Sequence, residues 1–208
     1  MNFVTKKIVS QVKRVPILFI FLFVYSCTST QQNVSESKNA HAVVPDNPHD
    51  DAEYAPELLK WERDVTLYKD YVMYFSGTAT LMAPDMVDAY KKRFEKVQGE
   101  AKFDVNIVPP DKDTLSVIVT VYNAFSKFSE LDDNKIWNCA LSYNNKWISP
   151  SSLVYYRNKS SFTPYFTTGS PWSRMYVIQF KVAHLESNQN PIEFSMHSGI
   201  AQADYYWK

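Results

Sequence analysis

Leu115, Val117, Val119 and Val121 occupy every second position of one stretch, with Ser116, Ile118, Thr120 and Tyr122 between them. A pleated strand sends successive side chains to opposite faces, so this period fits a strand and does not fit an amphipathic helix. The same period runs through 71–82, 136–143, 174–183, 192–197 and 200–207, with turn-forming residues between the runs. Strands at intervals of roughly 10–20 residues predict a mainly β domain, an antiparallel β-sandwich, Ig-like or related.

One segment breaks the period. Over 84–99, Met86, Val87, Tyr90, Phe94 and Val97 fall on one helical stripe, behind Pro84 and ahead of Gly99. Proline suits a first helical turn and glycine a C-terminal cap, so an amphipathic helix is expected there. Its Lys91, Lys92, Arg93 and Lys96 read as a solvated face that complements the helix dipole. Leu58, Leu59 and Trp61 suggest a short helix feeding a strand near 65–68, and 103–108 reads as a further strand closed by Pro109. Asn144-Asn145-Lys146 has hairpin-turn chemistry, and 147–157 is expected to hold one or two short strands interrupted by Pro150.

The amino-terminal segment has a different logic. Lys6, Lys7, Lys13 and Arg14 precede an uncharged apolar run from Val15 to Val24, the layout of an export signal. The run is far shorter than the roughly 20 residues a spanning helix requires, so removal is expected over permanent insertion. It ends in Val24-Tyr25-Ser26-Cys27, which resembles the lipobox of bacterial lipoproteins, although Tyr25 stands where that pattern usually has a smaller residue. The resemblance implies cleavage before Cys27 by signal peptidase II, and a Cys27 carrying diacylglyceryl and amide-linked acyl (palmitate-type) chains. Thr28, where inner-membrane lipoproteins often carry aspartate, implies the outer membrane. Residues 1–26 are then the signal peptide, 27–54 the lipidated cysteine and a disordered polar tether, and 55–208 the single folded domain.

Charge narrows the partners. The full chain has 22 basic and 22 acidic residues, and losing the four basic residues of the signal leaves a net charge of about −4. That is a poor match for phosphate backbones, so no nucleic-acid partner is expected. Asp46, His49, Asp50 and Asp51 read as a solvated acidic tether rather than as metal ligands, and no cofactor is expected beyond the covalent lipid.

Cys139 shares the alternation of Trp137, Leu141 and Tyr143 and reads as a buried hydrophobe. His41 and His49 fall in the tether, and His184 and His197 at strand ends. None has the spacing of a catalytic motif, and no nucleophile elbow, zinc-binding helix or phosphate loop occurs, so catalysis is not expected. The stretch that resists a structural reading runs from 155 to 174. Tyr155, Tyr156, Arg157, Phe162, Tyr165, Phe166, Trp172 and Arg174 crowd a segment whose Pro and Gly mark it as a loop. Two readings stay open: a hydrophobic lid over the open end of the sandwich, or a surface for a glycan, peptide or envelope protein. Pro171-Trp172-Ser173-Arg174, running into Tyr176-Val177, is similar to a group of uncharacterised bacterial lipoproteins, and no activity is carried over from it. The function expected is a membrane-anchored binding or envelope-assembly component. A structural accessory subunit of an envelope complex and a hydrolase with a scattered site are the alternatives.

Overall fold

A computed structural model describes residues 44–109, 111, 113–128, 130–182 and 191–208. Cys27, His41 and His184 lie outside the described residues. Nine strands and two α-helices are seen among those described: α1 (Ala55–Trp61), β1 (Glu62–Lys69), β2 (Val72–Leu81), α2 (Pro84–Gln98), β3 (Thr114–Asn123), β4 (Asn138–Tyr143), β5 (Lys146–Ile148), β6 (Ser152–Tyr156), β7 (Arg174–Lys181), β8 (Ile192–His197) and β9 (Gln202–Trp207). They make two antiparallel sheets, in the orders β1-β2-β3-β7-β6 and β5-β4-β8-β9. The mainly β sandwich with an amphipathic helix, expected from the alternation, is what is seen.

The inner faces meet as the periodicity requires. Phe75, Ala79 and Leu81 of β2, Val117 and Val119 of β3, and Tyr176 and Ile178 of β7 pack against Cys139 and Leu141 of β4, Phe194 of β8 and Tyr205 of β9. Gly77 of β2 leaves room for the Tyr205 hydroxyl, which would lie 2.4 Å from a Cβ at that position. Two-residue turns join β1 to β2 and β4 to β5. Asp70 and Tyr71 have φ of 51° and 65°, and Asn144 and Asn145 have 52° and 60°. Positive φ at both central residues gives the twist that suits a tight hairpin. Asparagine adopts that conformation at little cost, and tyrosine does so against its Cβ.

A third layer covers the outer face of the five-stranded sheet. Met86 and Tyr90 of α2 and Tyr54 and Leu58 of the α1 region pack with Ile118, Met175 and Val177 of β3 and β7. Ile107, Phe162, Tyr165 and Phe166 complete this second core. The sheet is therefore buried on both sides along β3, and the polar half of the β3 alternation is put to use. Ser116 Oγ donates to Asn106 O at 2.8 Å and Thr120 Oγ1 to Thr167 O at 3.0 Å, so each hydroxyl satisfies a carbonyl of an irregular covering segment.

Three sequence expectations change. Residues 103–108 form turns, not a strand. Asp104 Oδ1 accepts from the Asn106 amide at 2.8 Å and closes the chain on itself, while Phe103 and Ile107 turn into the second core. The polar lead-in is folded well before residue 55. A short 3-10 turn, Pro48–Asp50, precedes a buried Asp51, whose carboxylate accepts from the Glu53 and Tyr54 amides at 3.0 and 3.2 Å. Arg93, read as solvated, is 1% exposed. Its guanidinium donates from Nη1 to Asp51 Oδ2, from Nη2 to Pro45 O and from Nε to Pro164 O, each at 2.5 Å, and it lies 5.1 Å from the Tyr54 ring centre. The basic cluster supplied one residue that clasps the amino-terminal segment, the helix and the covering loop together.

Candidate binding surface

The loop from 155 to 174 divides into a buried and an exposed half. Phe162, Tyr165 and Phe166 are buried under α2, where the Tyr90 ring stacks on Phe166 at 5.5 Å and meets Tyr165 edge-on at 5.2 Å. Tyr156 sits edge-on to Phe162 at 4.8 Å and donates its hydroxyl to Asp104 Oδ2 at 2.6 Å. Phe162, Tyr165 and Phe166 are buried and Tyr156 is half-buried, so these four do not make an exposed platform. They cover the outer face of the sheet, not the end of the sandwich, because the backbone after Phe162 is held by Arg93 and Thr120.

Trp172, at 82% exposure, projects from the turn just ahead of β7. Tyr155 is exposed on β6, opposite Tyr176, and Arg157 is exposed just beyond that strand. Arg174 lies 5.6 Å from the Tyr155 ring centre and pairs with Glu130 at 3.0 Å.

The strand registers place further apolar side chains at the same end of the five-stranded sheet. Lys69 pairs with Val72 at the β1–β2 turn, Phe75 pairs with Asn123 at the end of β3, and Val121 pairs with Arg174 at the start of β7. Tyr68, Tyr71, Val72 and Met73 from the hairpin and Phe125 from beyond β3 are all exposed there, Tyr71 completely so at 102%. With Trp172 they form an apolar rim drawn from three separated segments. Among the described residues the other large exposed apolar side chains are Tyr155 on β6 and Leu59, Val105, Trp147 and Tyr206 in other parts of the fold. Sequence reasoning found Trp172 and missed the hairpin. Tyr71 and Met73 continue the alternation of β2, and Asp70-Tyr71 lacks the Gly or Asn that marks such a turn.

Two recesses lie elsewhere. One, of about 380 Å³, is lined by Asn47, His49, Thr163, Phe166, Thr167 and Gly169, among others. His49 Nε2 is 2.8 Å from Thr167 Oγ1 and 3.5 Å from Glu62 Oε1. The Glu62 side chain is 7% exposed, and its Oε2 is buried without a hydrogen bond. Burial raises the Glu62 carboxyl above its ordinary range, against the opposing pull of Thr167 and His49. A hydroxyl–imidazole–carboxylate relay uses the two ring nitrogens separately, one toward the nucleophile and one toward the acid. Here Thr167 and Glu62 share Nε2, so the cluster is not arranged as a relay. It pins the incoming chain against β1.

The other recess, of about 590 Å³, lies along α1 and α2 between Glu53, Glu57, Asp85, Lys92 and Lys96. Its charges are largely matched within the fold, by Lys60 with Asp85 and Lys96 with Glu53. Cys139 lies in the inter-sheet core, and burial pushes its thiol up to about 12, so it stays protonated at neutral pH. His197 is exposed at the end of β8. No group of three or more His, Cys, Asp or Glu suited to a metal ion occurs among the described residues. Comparison with protein-family models, with curated proteins and with solved structures gives no match.

Proposed function

We propose that this chain is a lipid-anchored component of a bacterial envelope that acts by binding, not by catalysis, with Cys27 as the acylated residue and the apolar rim as its working surface. The observation that carries the binding half is the convergence of Tyr68, Tyr71, Val72, Met73, Phe125 and Trp172 at one end of the sheet. Exposed apolar residues gathered at one end of a fold mark an interaction site, whereas single scattered ones do not. The anchoring half rests on the apolar run 15–24 and the cysteine that follows it. Two or more acyl chains give stable attachment where one is marginal.

The test of the anchor is the intact mass of the membrane-extracted protein beside a Cys27→Ala variant. The expected mass begins at residue 27 and includes a diacylglyceryl group and an amide-linked acyl chain, with the variant released to the soluble fraction. An unmodified amino terminus on the native protein refutes it. The test of the rim is a Trp172→Ser, Tyr71→Ser double variant, which is expected to keep the thermal midpoint and lose the biological function in a complementation assay.

A further inference from the structure

We infer that the rim lies against the headgroup layer of the phospholipid bilayer that holds Cys27, so that the domain rests on the membrane on its β1–β2 turn instead of hanging free. The inference rests on the lipid-anchor reading and names the occupant of the proposed surface.

The chemistry of the rim is that of a water–bilayer interface. Tyr68, Tyr71 and Trp172 each join an apolar ring to a polar atom, the combination enriched at headgroup depth. Val72, Met73 and Phe125 supply purely apolar contact between them. The exposed Lys69 and Lys127 flank the apolar part and suit anionic headgroups, while Asp70 occupies the turn and Glu130 is paired with Arg174. In form the rim is a projecting hairpin tip rather than a groove. The recess beside it, between Met73, Thr120 and Ser173, is only about 70 Å³. That is well below the several hundred Å³ of a site for a sugar or a small ligand.

The length of chain ahead of the domain supplies the second argument. Sixteen residues, 28–43, separate Cys27 from Val44. A linker of that length has a root-mean-square span of about 22 Å and a fully extended reach of about 55 Å. A domain of this size has a radius of gyration of about 15 Å. The anchor therefore keeps the start of the domain within about 55 Å of the bilayer, at an effective concentration in the millimolar range. Weak partitioning of a few aromatic side chains, insufficient to recruit a free protein, is enough to orient one that is already tethered.

The experiment uses the full acylated chain in vesicles of phosphatidylethanolamine and phosphatidylglycerol, with and without lipids brominated near the top of the acyl chain. Tryptophan emission is read for the native chain, for Trp172→Phe and for Trp147→Phe, with intact mass taken on the same samples. The expected result is quenching in the native chain that disappears in Trp172→Phe and persists in Trp147→Phe. An acylated chain with no quenching, or with quenching unchanged in Trp172→Phe, overturns the inference and leaves the anchor standing. An unacylated Cys27 refutes the anchor by itself. A photoreactive residue at position 172 provides the cellular arm. Lipid adducts support the bilayer contact, and adducts to protein alone overturn it in favour of an envelope partner.

Discussion

The two cores of this protein are built by different rules. Between the sheets, strands meet strands and nearly every contact is apolar. Over the outer face of the five-stranded sheet, a helix, a loop and the entering chain meet the same strands through stacked rings and a buried ion pair. A sheet face is covered well by another sheet, whose side chains stand at matching intervals. Irregular chain brings backbone carbonyls with it, and these must be satisfied where they are buried. Arg93, Ser116 and Thr120 do that work, donating to Pro45, Pro164, Asn106 and Thr167. The inter-sheet core is held by area, whereas the outer core is held by area and by a small number of polar links.

That difference predicts where each core fails. Arg93→Ala leaves Asp51 Oδ2 and two carbonyls without the guanidinium that donates to them, and breaking a buried ion pair in this way costs about 3–5 kcal/mol. Hydrogen exchange is expected to accelerate first over 45–54 and 162–167, with β4, β8 and β9 still protected. Uniform acceleration across both sheets would show that the two cores are one cooperative unit. Gly77→Ala attacks the other core by overpacking and is expected to cost about 1–3 kcal/mol in urea denaturation. The companion Tyr205→Phe removes the hydroxyl that meets the new methyl and has no hydrogen bond of its own, so the double variant should recover much of that loss.

The carboxyls of the outer layer respond to acid in opposite senses. At Asp51, burial works to raise the pKa, but the Glu53 and Tyr54 amides and Arg93 outweigh it and hold the group below its ordinary value. Its contribution is fully present above the unfolded value of about 3.9 and is lost as pH falls through the folded value, so Asp51→Asn should flatten the acid limb of the stability curve. Glu62 is raised, so the folded state binds its proton more tightly than the unfolded state does. Stability then declines as pH rises from the ordinary glutamate range through the folded value. Glu62→Gln is expected to raise the thermal midpoint at neutral pH and to lose that advantage in acid. A lower midpoint at neutral pH would mean that the His49 contact outweighs the burial of charge. The smallest effect concerns the two hairpins. Tyr71→Asn relieves a left-handed tyrosine and should stabilise by roughly 0.5–1 kcal/mol, whereas Asn145→Tyr at the matching turn should destabilise by a similar amount.

The inter-sheet core was legible because each of its strands carries a full period-two signal, and Leu115, Val119, Cys139, Leu141 and Phe194 could be assigned to it from spacing alone. The outer core was legible only at α2, the one covering element with a period of its own. Phe162, Tyr165 and Phe166 follow no period, and their crowding fits a buried cover as well as an exposed platform. Ser116 and Thr120 occupy the polar half of an alternation, which reads as solvent whenever the layer above is not suspected. Arg93 looked like its neighbours Lys91 and Lys92. Its helical position, three residues after Tyr90 and seven after Met86, puts it on the buried stripe, and an arginine there predicts an acidic partner that sequence alone cannot locate. The rim was half legible. Exposed aromatics flagged Trp172, but the hairpin tip read as strand because its turn residues are atypical.

Arg93 also decides how this fold meets a pull on the chain at residue 44. The fixed points such a force reaches are the Pro45 carbonyl, then His49 against Thr167 and Glu62, then the Asp51 carboxylate, the first and last of them held by one guanidinium that is rooted in α2. Tension therefore enters as shear across a helix, ahead of any hydrogen-bond ladder. Neither sheet offers its edge strand to be peeled row by row until that clasp has parted, and the clasp works as a mechanical fuse between whatever tugs on the leading segment and the sandwich behind it.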